Sequence, residues 1–220
     1  MVPKRITQLG FFVGAALSSW AFADPPRPAT PTITLQSSSV TISGLTHGGM
    51  VTMCSEAREQ AGYEKRFIHR DALVTDKSGA GVVSLPVNGV SDNSIWFAVD
   101  NATGAYSMAM PSASPYVPLQ LPSNALRRNG KGDLFKVDMP LAIFDLLLVR
   151  PGEGSWTGTI GDGGPLDDDP HPNGRAAAEI GKLKPLGKSG STPDKLRKGD
   201  VLIGIDHMSL RYFVVVVGEQ

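Results

Sequence analysis

A single cysteine, Cys54, occurs in the 220 residues, so no intramolecular disulfide can staple the fold. Excess charge of either sign is missing as well, since 21 basic residues balance 21 acidic ones. A chain without a basic surplus lacks the electrostatic footprint that nucleic acid or an anionic membrane requires. The four histidines, at 47, 69, 171 and 207, stand apart, and none forms a paired spacing for a transition metal. No Gly-x-Ser-x-Gly elbow nominates a serine nucleophile. Aromatic residues make up only 7% of the chain, so its core is expected to rest on Val, Ile, Leu, Met and Ala. Disorder is excluded too: 41% of residues are hydrophobic and the net charge is negligible, the reverse of the disordered signature.

What is present begins with an address. Lys4 and Arg5 precede the apolar stretch "LGFFVGAALSSW", and no further charge appears until Asp24. Ala21-Phe22-Ala23 places small residues where signal peptidase accepts them, so residues 1–23 read as a secretory signal peptide cut after Ala23. A membrane span needs ~20 mostly apolar residues, and this stretch is shorter and broken by Ser18 and Ser19. The expected location is therefore periplasmic or secreted, with no integral membrane segment after cleavage. Loss of Lys4 and Arg5 takes the 21 basic residues to 19, against 21 acidic. Cys54 lies in "MVTMCSE", a strand-like setting that predicts a buried, inert thiol.

Beyond the proline-rich spacer at 24–31, short strand-like runs recur near 32–36, 38–43, 49–55, 66–75, 81–87, 94–100 and 104–110. Turn clusters such as "GLTHGG", "DKSGAG" and "NGVSDN" separate them. In "SIWFAVDNATGAYSMAM", Ile95, Phe97 and Val99 face one way and Trp96 and Ala98 the other, a hairpin closed at Thr103-Gly104. This spacing predicts an antiparallel, immunoglobulin-like sandwich over residues 32–110, with "SEAREQAGY" at 55–63 as a competing short helix. Residues 111–132, rich in proline, read as a surface connection. Further strands are expected at 133–139, 142–150, 155–160, 200–206 and 209–217, with a second hairpin tipped by Pro151-Gly152-Glu153-Gly154. The β-branched run "YFVVVVG" predicts a strand buried on both faces. One helix is expected at about 174–182, capped by Asn173. The fold class is thus all-β, with additional C-terminal β-hairpins at 133–220 that either form a second small domain or complete the sandwich.

The densest ligand-type cluster is "DDDPHPNGR", from residue 167. Setting Asp169 as the first EF-hand position puts His171, Asn173 and Gly174 where ligands and the turn glycine belong. The twelfth position, however, is Ile180 rather than a bidentate acid. A less regular calcium site would bring Asp162, Asp167 and Asp169 together across "GDGGP"; against it stands a solvated acidic loop, the ordinary state of clustered charge. "GKLKPLGKSGST" fails as a phosphate loop, because five residues rather than four separate Gly181 from Gly187. Asn101-Ala102-Thr103 is formally a glycosylation acceptor at a hairpin tip.

Two resemblances follow from these stretches. "LRKGDVLIGID" (196–206) is similar to the Leu-x-x-Gly-Asp-x-Ile stretch of PDZ domains. The chain ends fourteen residues after Asp206, too soon for that family's helix and groove, and a turn at Lys198-Gly199-Asp200 feeding a strand is the expectation. "VTISGLTHGGMVTM" and "WFAVDNATGAYSMAMP" resemble bacterial exported proteins with immunoglobulin-like modules. That resemblance implies export and a β-sandwich, without any activity. Together these readings lead to an exported, non-catalytic β-sandwich protein that binds a protein or glycan partner or serves structurally, with no cofactor. The competing expectation is a calcium-supported hydrolase or carbohydrate-binding protein working through loop 161–175, where Trp156 and Tyr212 would help to line a pocket.

Overall fold

The computed structural model describes residues 30–58, 65–68, 74–122, 124–139, 144–160, 176–187, 189–206 and 209–218. The leader 1–23 and the acidic loop 161–175 lie outside them. The chain forms β1 (Thr32–Gln36), β2 (Ser39–Ser43), β3 (Met50–Arg58), β4 (Lys65–Ile68), β5 (Val74–Thr75), β6 (Val82–Pro86), β7 (Ser94–Asp100) and β8 (Tyr106–Ala109). It continues with β9 (Val117–Pro118), β10 (Leu126–Arg128), β11 (Leu134–Met139), β12 (Phe144–Arg150) and β13 (Gly154–Ile160). Last come β14 (Ala176–Glu179), a 3-10 turn (Ile180–Lys182), β15 (Lys184–Pro185), β16 (Val201–Asp206) and β17 (Arg211–Val216). The fold is all-β, in several antiparallel sheets.

Four sheets stack through three apolar cores. An outer sheet, β1-β2-β6, covers one face of an inner sheet ordered β4-β3-β7-β8, with β5 also on β3. Val40, Ile42, Val83, Val51, Met53, Trp96 and Ala98 fill the space between them. The alternate residues Cys54, Ile95, Phe97 and Val99 point the other way, against Leu147, Val149, Val201, Ile203, Ile205 and Tyr212. Those partners belong to a second inner sheet, β15-β13-β12-β16-β17-β9. Its far face carries Phe144, Leu146, Leu148, Trp156, Leu202 and Phe213 onto Leu134, Val137 and Ala178 of an outer sheet, β10-β11-β14. Period-two alternation thus divides each inner strand between two cores. That is why β7, β12 and β16 are buried at every position.

The two halves of the chain meet along the middle core. Phe97 and Tyr212 contact edge to face at 5.7 Å between ring centroids, an arrangement aromatic quadrupoles favour. The two hairpin tips are tied together as well, by the Gly152 N–H donating to the Asn101 carbonyl at 2.7 Å.

Several expectations need correction. Residues 55–58 are strand, not helix: β3 runs on to Arg58 and pairs there with β4; residues 59–63 lie outside the description. The expected helix at 174–182 is replaced, from 176 on, by β14 and the 3-10 turn. Alanine and glutamate favour helix locally, but β14 pairs with β11, and this puts Ala178 opposite Val137 and into the core beside Ile180. The 111–132 connection is not only surface: it contributes β9 and β10, and it buries Tyr116 and Ala125. Finally, β17 is not buried on both faces throughout. Tyr212 and Phe213 are, while Val216 is 51% exposed, because among the described residues only the two-residue β9 lies beyond β17 in its sheet.

Candidate functional site

Asp162, Asp167 and Asp169 fall outside the described residues, so the structure does not bear on the calcium reading. Trp156 and Tyr212, the aromatics expected to line its pocket, do not converge. Trp156 packs in the outer C-terminal core and Tyr212 in the middle one, on opposite faces of the same sheet. The Trp156 indole N–H donates to the Gly190 carbonyl at 3.3 Å.

Several of the described aspartates hold turns. Asp76 accepts from the Ser78 hydroxyl at 2.8 Å and from the Gly81 N–H at 2.6 Å. These bonds favour the charged form, Ser78 foremost, and they hold the carboxyl below its usual range. Asp100 takes the N–H and hydroxyl of Thr46, both at 2.7 Å, and the Ala102 N–H at 2.8 Å. In this way the tip of the β7–β8 hairpin is fastened to the loop before β3. Asn101, the formal glycosylation acceptor, is 9% exposed, and its side-chain oxygen accepts from Thr52 at 2.8 Å. It is a buried strut rather than a presented side chain.

The Gly199-Asp200 pair is the expected turn. Gly199 sits at φ +86, a conformation glycine adopts without steric cost. Asp200, fully buried, takes the Arg150 guanidinium in a two-pronged bond of 2.9 and 2.8 Å, and it also accepts from the Arg197 N–H at 2.8 Å. The hydrogen bonds from Asp200 raise the Arg150 pKa, against the opposing pull of burial. Arg150 further donates to the Lys195 carbonyl at 2.7 Å and lies 5.8 Å from the Trp156 ring centroid. The bidentate geometry suits guanidinium and carboxylate.

An unannounced polar cluster lies between the two inner sheets. Glu56 on β3 and Asp145 on β12 are both buried, 0% and 3% exposed. The Tyr116 hydroxyl donates to Glu56 at 2.9 Å, and the Thr159 hydroxyl donates to Asp145. Cys54 is buried and free. Its thiol is pushed up, first by burial and then by the negative charges of Glu56 and Asp145, so it stays protonated and is no nucleophile at neutral pH. Sequence reasoning missed this pair of acids. The available signal was one acid inside each of two apolar strands, "MVTMCSEAR" and "FDLLLVR", but nothing local announced that the strands face each other.

Grooves open at the surface among the described residues. One of about 520 Å³ lies between Ile33, Leu35, Val90 and Met110, with Asp92 at its side. Another, of about 370 Å³, gathers Arg128, Lys195, Lys198 and Asp133, but Lys195 already pairs with Asp133 at 2.9 Å. A further one, about 240 Å³, sits by the paired hairpin tips at Met50, Asn101, Gly152, Glu153 and Ser189. Among the described residues, no three His, Cys, Asp or Glu side chains are placed to hold a metal ion. No helix among them is long and apolar enough to cross a membrane. No family model, curated protein or solved structure matches this chain.

Proposed function

We propose that the protein is exported, is not a catalyst, and works as a binding or structural β-sandwich module in the periplasm or outside the cell. The observation that carries this reading is how its polar residues are used. Asp76, Asp100 and Asp200 are each committed to turn N–H groups or to a buried guanidinium, and among the described residues the one cysteine, Cys54, is a buried, protonated thiol. Among these turn-holding aspartates none is set beside a nucleophile it could activate.

The immunoglobulin-like assignment of residues 32–110 belongs to the same proposal. Strand order supports it: β1-β2-β6 facing β4-β3-β7-β8 corresponds to strands A-B-E facing C′-C-F-G in that architecture. The partner is a protein or a glycan, reached in an exported compartment. Fractionation of the producing cell tests the address. The expected product is a chain beginning at Asp24 in the exported fraction, and full-length chain confined to the cytosol would overturn the reading.

A further inference from the structure

From the exposed edge of β17, we propose that the protein self-associates through that edge, pairing antiparallel with the same strand of a second copy about a twofold axis at Val215. The inference rests on the fold alone and is independent of the proposed role. Beyond β17, the ladder to β9 covers only Arg211 and Tyr212. The Leu119 N–H donates to the Tyr212 carbonyl at 2.6 Å, so Tyr212 turns its backbone groups away from β16. Period-two alternation gives Val214 and Val216 the same outward orientation, and no described strand pairs with them.

Three other sheet edges carry protection that this stretch lacks. β15 is Lys184-Pro185, β10 carries Arg127 and Arg128 with a register shift between them, and β1 exposes Thr32, Thr34 and Gln36. Lysine, proline and bulges are the ordinary guards of an edge. From Phe213 to Gly218 there is no charge, proline or bulge-forming glycine within the strand, and Val216 is 51% exposed.

The occupant follows from symmetry and charge. Placing Val215 on a twofold sets Val214 opposite Val216 of the other copy, and both outward residues exchange N–H and C=O bonds with their counterparts. The four outward groups of each copy, one N–H and one C=O on each of two residues, are then all paired. Two such edges meet as neutral valine on neutral valine, and the chain from Asp24 on, with 19 basic against 21 acidic residues, carries little net charge to repel its copy. The valine side chains on one face also meet across the seam, as cross-strand pairs do in a sheet. β9 leaves the edge after Leu119, so the overlap spans about five residues. That is below the size of a permanent interface, and the association is weak and concentration-dependent.

Sedimentation velocity of the purified chain, from micromolar to near-millimolar concentration, tests this. The expected result is a mass rising from one copy towards two. V216P removes only an outward N–H and V216K places a charge on the seam; each should keep the wild-type melting temperature and remain a single copy throughout. V215C should cross-link the two copies under mild oxidation, because twofold, non-hydrogen-bonded positions lie ~4.5 Å apart at Cα. V82C, at an exposed valine on another edge, should not. A single-copy mass at every concentration, a dimer that survives V216P and V216K, or cross-linking through V82C but not V215C would each overturn the proposal.

Discussion

The carboxylates of this protein divide by what they touch. Asp76 and Asp133 sit in hydrogen-bonded turns, and their pKa values lie below the ordinary 3.8. For Asp133 the leading cause is the Lys195 ammonium. A lowered carboxyl pKa stabilises the fold above the unfolded-state value, and that contribution disappears as pH falls through the folded-state value. Urea melts should therefore show stability falling from about pH 4 downward, with a shallower fall in Asp76→Asn; an unchanged slope in that variant would contradict the account. Asp200 is different, because it neutralises a buried cation. Asp200→Ala leaves Arg150 charged and buried, and should cost about 3 kcal/mol in denaturant melts. Adding Arg150→Met should recover part of that loss. Cys54 should ignore thiol reagents in the native state and react fully on unfolding, since only the thiolate attacks.

At the scale of elements, Gly204 on β16 is the tightest joint. A Cβ there would stand 1.9 Å from the Phe213 ring, which itself packs edge to face on Phe144. Gly204→Ala must displace a core ring and should destabilise by about 1–3 kcal/mol, read from the shift in a urea midpoint. This requirement was not visible in the sequence, where Gly204 passes as one more position of the strand expected at 200–206. Most strands were legible, because alternation such as Ile95-Trp96-Phe97-Ala98-Val99 assigns each residue to a face without knowledge of its partner. Relational features were not legible. β14 reads as helix because Ala176 to Glu179 have helix-forming side chains, and only pairing with β11 makes them strand. β17 reads as central because its valines are β-branched, whereas its place near the edge is set by β9, a two-residue strand drawn from a proline-rich connection.

For the whole molecule, the middle core decides cooperativity. Phe97 and Ile95 from the first half share it with Ile203, Ile205 and Tyr212 from the second. Unfolding either half alone would expose that face, at ~25 cal/mol per Å² of apolar surface. Thermal unfolding followed by tryptophan fluorescence and by far-ultraviolet circular dichroism should therefore give one coincident transition, with an all-β spectrum before it. Two separated transitions would mean that the halves are independent. The candidate site was less legible than the fold. Glu56 and Asp145 come together from strands far apart in sequence, while the aspartates at 167–169, conspicuous in the sequence, lie outside the described residues.

We propose that the aspartates of loop 161–175 form a solvated acidic loop rather than a calcium site. That proposal is tested most directly by thermal melts in calcium, magnesium and chelator, on the wild type and on the double variant Asp167→Asn/Asp169→Asn. A bound ion stabilises by RT ln(1 + [L]/Kd), about 2.7 kcal/mol at a hundredfold excess over Kd. The account predicts three superimposable curves, and a double variant within about half a kcal/mol of wild type. A calcium-specific rise in melting temperature, abolished by the double substitution, would contradict it.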